Sequence, residues 1–132
     1  MPTADIFADR YWNETGIHLV AECRYKFSVV SGVGATLEDA SFTARSIAGE
    51  DWTSLPHKTA ELFNGKRMDD ARWFALIGTV GNEHPFVIPD GGEHTVAAGG
   101  QLVCYFNDVQ LERFYENNEG WIRLLVERVE NT

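Results

Sequence analysis

The stretch Trp121-Ile122-Arg123-Leu124-Leu125-Val126-Glu127 decides the fold. Ile122, Leu124 and Val126 fall on one side at a period of two, and Trp121, Arg123, Leu125 and Glu127 fall on the other. That alternation marks a strand with one face turned to a core. Upstream, Leu102, Cys104 and Phe106 alternate in the same way with Gln101, Val103 and Tyr105. Tyr25, Phe27 and Val29 alternate with Arg24, Lys26 and Ser28 until Ser31-Gly32 and Gly34 end the run. Shorter runs lie at Ile17 to Val20, introduced by Trp12 and Thr15-Gly16, at Trp73 to Val80, at Phe86 to Ile88 and at Glu93 to Ala97. Gly81-Asn82, Pro89-Asp90-Gly91-Gly92 and Ala98-Gly99-Gly100 separate them as turns, because Pro presets one backbone angle and Gly accepts a positive one. Counting these runs gives roughly eight strands and no long helix, which predicts an all-β sandwich of jelly-roll type. Trp12, Phe27, Phe74, Phe106 and Cys104 read as core.

The segment between Val33 and Arg72 carries a weaker signal. Leu37 begins a short strand and Thr59 to Phe63 fits a helical turn, but most of the segment is irregular. A connection that long is uncommon in a compact domain and is often functional.

At 132 residues the chain is expected to form one domain, residues 1–132, with a core large enough to need no staples. Apolar residues make up 44% and charged residues 23%, the composition of a globular domain rather than a disordered one. The formal charge of -9 opposes a nucleic-acid backbone or an anionic membrane surface as partner and suits a cation. Met1 to Ala8 lacks the basic-then-apolar pattern of a secretory leader, and no run reaches the length of a membrane span, so the expected location is cytoplasmic. Cys23 and Cys104 make no CxxC or metal-ligand spacing; free thiols are expected, with a disulfide between them the alternative if their two strands are neighbours. Asn13-Glu14-Thr15 matches a glycosylation pattern, which without a leader reads as chance.

His18, His57, His84 and His94 form no close ligand pair, and no nucleophile elbow, P-loop or dinucleotide motif occurs. Nothing assembles a nucleophile, a base and an orienting acid, so a binding role is expected rather than an enzyme. One stretch differs. The strand ending at Phe106 runs into Asn107-Asp108-Val109, and a loop from Gln110 to Glu116 leads to Asn117-Asn118-Glu119-Gly120 and the last strand. Two clusters of short oxygen-bearing side chains thus bracket one loop. Calcium takes about six to eight oxygens from carboxylates, amides and backbone carbonyls, and such a loop can present all three. The same residues are also common turn formers, whose side chains bond nearby backbone.

From Trp73 to Val129 the chain resembles the calcium-dependent galactophilic bacterial lectins of the PA-I type, small jelly-roll sandwiches. Ala75-Leu76-Ile77 leading to Gly81-Asn82, then Phe106-Asn107-Asp108-Val109, then Asn117-Asn118 with Gly120 before the final strand carry the likeness. Trp12, Thr15-Gly16-Ile17 and Tyr25 to Gly32 resemble the opening strands of the broader galactose-binding-like sandwiches. The resemblance implies a Ca2+ site with Asp108, Asn117 and Asn118 as side-chain ligands, and backbone carbonyls from the intervening loop and from the loop after the Tyr25 to Val30 strand. It further implies that sugar hydroxyls complete the calcium shell while Asp108, Val109 and Asn117 contact the sugar. His57 is the local candidate for the family's sugar-contacting histidine. A galactose-like ligand and a homo-oligomer follow from the same likeness.

Departures from the pattern are concentrated in the loop, which is longer here. Glu116 stands where Gly is usual and Glu119 where Ser is usual, and Glu112 adds a further carboxylate. Extra negative charge can tighten calcium or take the place of the sugar. Trp52 and Trp121 offer aromatic faces for a sugar or for a second subunit. The alternative to a calcium-dependent lectin-like domain is a structural or protein-interaction sandwich that has lost sugar binding.

Overall fold

A computed structural model describes residues 2–30, 37–39, 42–44, 47–50, 66–68, 70–108, 115–116 and 118–129. Two four-stranded antiparallel sheets and a small third one account for the strands among them. In chain order these are β1 (Thr3–Phe7), β2 (Asn13–Leu19), β3 (Arg24–Val29), β4 (Leu37–Asp39), β5 (Phe42–Ala44), β6 (Leu76–Val80), β7 (Glu83–Val87), β8 (Glu93–Thr95), β9 (Gly100–Phe106), β10 (Asn118–Glu119) and β11 (Trp121–Val129). One sheet runs β1-β11-β3-β8 and the other β2-β9-β6-β7, while β10-β4-β5 forms the third.

The alternation read from the sequence is what packs the two large sheets face to face. Ile122, Leu124 and Val126 of β11, with Tyr25 and Phe27 of β3, meet Leu102, Cys104 and Phe106 of β9 and Leu76 and Val80 of β6 in one buried cluster. Each large side chain buried this way contributes roughly 1.5–3 kcal/mol. Register fixes which face each residue shows: Leu124 pairs with Val29 and Val126 with Phe27 across β11 and β3. A slip of one residue would turn all of these side chains to water. Gly78 of β6 lies under the Phe86 ring and beside Ile88, leaving no room for a side chain.

The architecture is the all-β sandwich expected from the sequence, and its two large sheets hold eight strands, as many as expected. Among the described residues a small third sheet adds three more. β4, β5 and β10 have three residues or fewer, too short for a period of two to show. β1 went unread because it lacks a clean alternation: Ile6 is in the core, whereas Phe7 stacks on Trp121. Trp12, expected in the core, is 37% exposed. Cys23 and Cys104 are free, as expected, and burial raises the Cys104 thiol far above its ordinary value. Asn13 is buried, with both ends of its amide bonded to the Phe7 main chain and Nδ2 also on the Cys104 carbonyl, so it is closed to glycosylation. Leu37 does begin a strand. The helical turn expected at Thr59 to Phe63 lies outside the described residues.

Candidate functional site

Past the end of β9, Asn107 and Asp108 leave the sheet side by side and take opposite roles. Asn107 is a brace. Its Nδ2 donates to the carbonyls of Met68, Ala71 and Arg72 at 2.9, 3.3 and 2.9 Å, and its Oδ1 accepts from the Met68 N–H at 2.9 Å. Main-chain bonds join it to the start of β6 as well: Phe74 N–H to the Asn107 carbonyl at 2.7 Å, and Asn107 N–H to the Ala75 carbonyl at 2.9 Å. Phe74 itself has φ of 62°, an unusual state for a bulky residue. Its ring is fully buried and stacked on Phe106 at 5.4 Å, and that packing holds the backbone there.

Asp108 instead faces Asn118, the first residue of β10. The Asn118 Nδ2 donates to Asp108 Oδ2 at 2.9 Å and to the Ala8 carbonyl at 3.2 Å. Both acceptors fix which end of the amide is which, because a reversed amide would set oxygen against oxygen. The Asn118 Oδ1 is therefore aimed away from them. It is buried and, among the described residues, has no hydrogen-bond partner. Asp108 and Asn118 are only 2% and 3% exposed. A buried acceptor without a donor costs about 1–3 kcal/mol, unless water or a cation completes it.

Three further segments close around this pair. Ala8 N–H bonds the Gly120 carbonyl at 3.0 Å, with Gly120 at φ 101°. β10 pairs with β4 so that Asn118 stands opposite Asp39 and Glu119 opposite Glu38, which brings the chain after β3 alongside the site. Arg67 N–H donates to the Asp108 carbonyl at 2.9 Å. The Tyr115 hydroxyl accepts from Arg67 Nη1 at 3.1 Å and donates to the Phe106 carbonyl at 2.6 Å. Burial pushes the Tyr115 hydroxyl well above its ordinary value despite the nearby Arg67 charge, so it stays a neutral hydrogen-bonding strut.

Of the residues singled out in the sequence, Asp108 and Asn118 are thus brought together. Asn117, Val109 and His57, with Glu112 and Trp52, lie outside the described residues. Trp121 is half-buried between Phe7 and Arg123. Among the described residues no three His, Cys, Asp or Glu side chains group to hold a metal; the side-chain oxygens described here are one carboxylate and one amide, both hard-cation donors. Ala8, Arg67 and Tyr115 carried no local signal, because their partners lie far away in the sequence.

No protein-family model matches the chain, and no curated protein does. Its fold matches known structures. The solved EclA N-terminal domain, a PllA-like lectin, aligns with a TM-score of 0.65 over 98% of this chain and 97% of that one. The two sequences are 18% identical. The likeness is therefore one of fold: this chain is a β-sandwich built like that domain.

Proposed function

We propose that the chain is a calcium-dependent carbohydrate-binding domain. The observation that carries this reading is the Asn118 amide, locked by Asp108 and Ala8 so that a buried, unpartnered oxygen lies beside a buried carboxylate. Asp108 and Asn118 would hold the ion, and Asn117 and main-chain carbonyls near β4 are the remaining donors proposed. Bound there, calcium would offer a Lewis-acidic site to which vicinal sugar hydroxyls coordinate in place of water. The chain's part is to present the oxygens already ordered: Asn107 anchors the end of β9, Arg67 and Tyr115 hold the main chain around Asp108, and Gly120 turns into β11. No bond is made or broken. The PllA-like fold supports a sugar as ligand, and a galactose-like sugar is the first to try.

Thermal unfolding of metal-stripped protein tests this. Calcium binding only the native state stabilises it by about 2.7 kcal/mol at a hundredfold excess over its Kd. The unfolding midpoint should rise with calcium and rise again when galactose is added. Asp108→Ala should remove both shifts. A wild-type midpoint indifferent to calcium would overturn the reading and leave a structural or interaction sandwich.

A further inference from the structure

Away from Asp108 and Asn118, the side chain of Arg67 sits in a box of aromatic rings. Its Cζ lies 3.6 Å from the Tyr11 ring centre, 3.5 Å from Tyr105 and 4.3 Å from Trp12. A planar guanidinium that close to two rings is sandwiched between them. The Trp12 ring plane is perpendicular to both, at 88° to Tyr11 and 90° to Tyr105. Nη1 donates to the Tyr11 carbonyl and the Tyr115 hydroxyl. Nη2 is buried without an acceptor, and among the described residues no carboxylate pairs with this arginine. Its charge is spent on the rings. Arg67 is the pin that holds three aromatic side chains in fixed orientation.

The pinned rings form a wall of a cleft of about 220 Å³, with Arg67 itself, Thr79, Asn82 and Pro85 also lining it. The cleft lies on the outer face of the β2-β9-β6-β7 sheet. Tyr105 packs with Ala71, Ala75 and Ile77 there, whereas its neighbours Cys104 and Phe106 face the core. Among the described residues Trp12 is the aromatic one left exposed, at 37%; the other exposed large apolar residues are Val20 and Val87. Its exposure is not looseness, since Arg67, Tyr11 and Tyr105 all hold it. Asn82 is exposed in the β6–β7 turn.

We propose that this cleft is a second saccharide site, one that works without calcium. A sugar ring has an apolar C–H face and a rim of hydroxyls. The cleft offers the matching pair, a rigid indole wall and the Asn82 amide. Its volume is below the roughly 300 Å³ at which drug-sized sites begin, so it takes one ring. Preorganisation of the wall lowers the cost of ordering on binding. The inference goes beyond the calcium-dependent reading and does not rest on it.

The test is an NMR titration of the isotope-labelled full chain in EDTA. Methyl β-galactopyranoside, methyl α-glucopyranoside and N-acetylglucosamine are the probes, and the signals followed are the Trp12 indole N–H and the Asn82 side-chain amide. At least one sugar should shift both signals saturably, in wild type and in Asp108→Ala alike. Trp12→Ala, read at Asn82, and Asn82→Gly, read at Trp12, should each weaken binding about three- to tenfold. Asn82 is exposed in a turn at φ 69°, a conformation glycine adopts without strain, so its variant keeps the test alive if Trp12→Ala unfolds. No saturable shift with any probe would overturn the proposal, as would equal binding in both variants. Binding that needs calcium and disappears in Asp108→Ala would overturn it while supporting the calcium site. Binding in EDTA without any calcium effect on unfolding would do the reverse.

Discussion

Two buried asparagines show how position decides what a polar side chain does. Asn107 spends every hydrogen-bonding group of its amide on the 68–72 turn, whereas the amide of Asn118 leaves its oxygen unspent. Asn107→Ala strands the Ala71 carbonyl and the Met68 N–H, while the Met68 and Arg72 carbonyls keep the Ala71 and Ala75 N–H groups, and each buried orphan costs about 1–3 kcal/mol. Water admitted to the gap recovers part of that, so a net loss of about 2–4 kcal/mol is expected in denaturant unfolding. Retained stability would mean the 68–72 turn is held by something else. Asn118→Asp probes the other amide. It replaces a donor 2.9 Å from Asp108 Oδ2 with a second carboxylate oxygen, so the calcium-free protein should lose stability through like-charge contact. Calcium should then raise the unfolding midpoint of N118D by more than it raises that of wild type. An equal or smaller rise would place the cation elsewhere.

At the scale of the strand, legibility followed length and facing. β3, β9 and β11 have six to nine residues with one face in the core, so hydrophobic periodicity exposed them. β4, β5 and β10 are stubs whose pairing is a tertiary fact; nothing in Leu37-Glu38-Asp39 announces Asn118-Glu119 as its partner. The candidate site divides in the same way. Asp108 and Asn118 were legible because Asn107-Asp108 and Asn117-Asn118 bracket one loop between adjacent strand signals. Ala8, Arg67 and Tyr115 were not, since each reaches the site through the fold. Trp12 was misread because an aromatic residue beside a strand is usually core, and only the Arg67 box explains its exposure. β6 carries a prediction of its own. A Cβ at Gly78 would meet the Phe86 ring at 2.8 Å and Ile88 at 3.1 Å, between side chains already packed into the core. Gly78→Ala should cost about 1–3 kcal/mol by overpacking, seen as a lower denaturant midpoint with an unchanged m-value. A neutral result would mean that Phe86 moves freely at the sheet edge.

Taken whole, the molecule has one edge where its two large sheets end on β7 and β8, and the seam there is ionisable. His94 of β8 lies flat on Phe86 of β7, with ring centres 4.0 Å apart and planes 8° off parallel. Phe86 also packs on Phe27 inside the sandwich. The imidazole is thus the outermost layer of a stack crossing from one sheet to the other. Desolvation lowers its pKa from the ordinary 6.5, so the native state prefers it neutral. The sign follows: the unfolded chain takes up the proton first as pH falls. The stability this stacking contributes is whole above about 6.5 and is lost as pH drops through the lower native value. Asp5 on the opposite edge behaves alike in a different window. Arg123 bonds its carboxylate and holds it below the ordinary 3.8, so its contribution is lost only in stronger acid. Unfolding free energy should therefore fall in two separable steps, and His94→Gln should flatten the one below pH 6.5 while leaving the more acidic step in place. Chemical unfolding of the metal-stripped protein across pH 2 to 8 covers both steps and keeps calcium out of the comparison. An unchanged slope below 6.5 in H94Q would show that the β7–β8 seam is not what protonation opens.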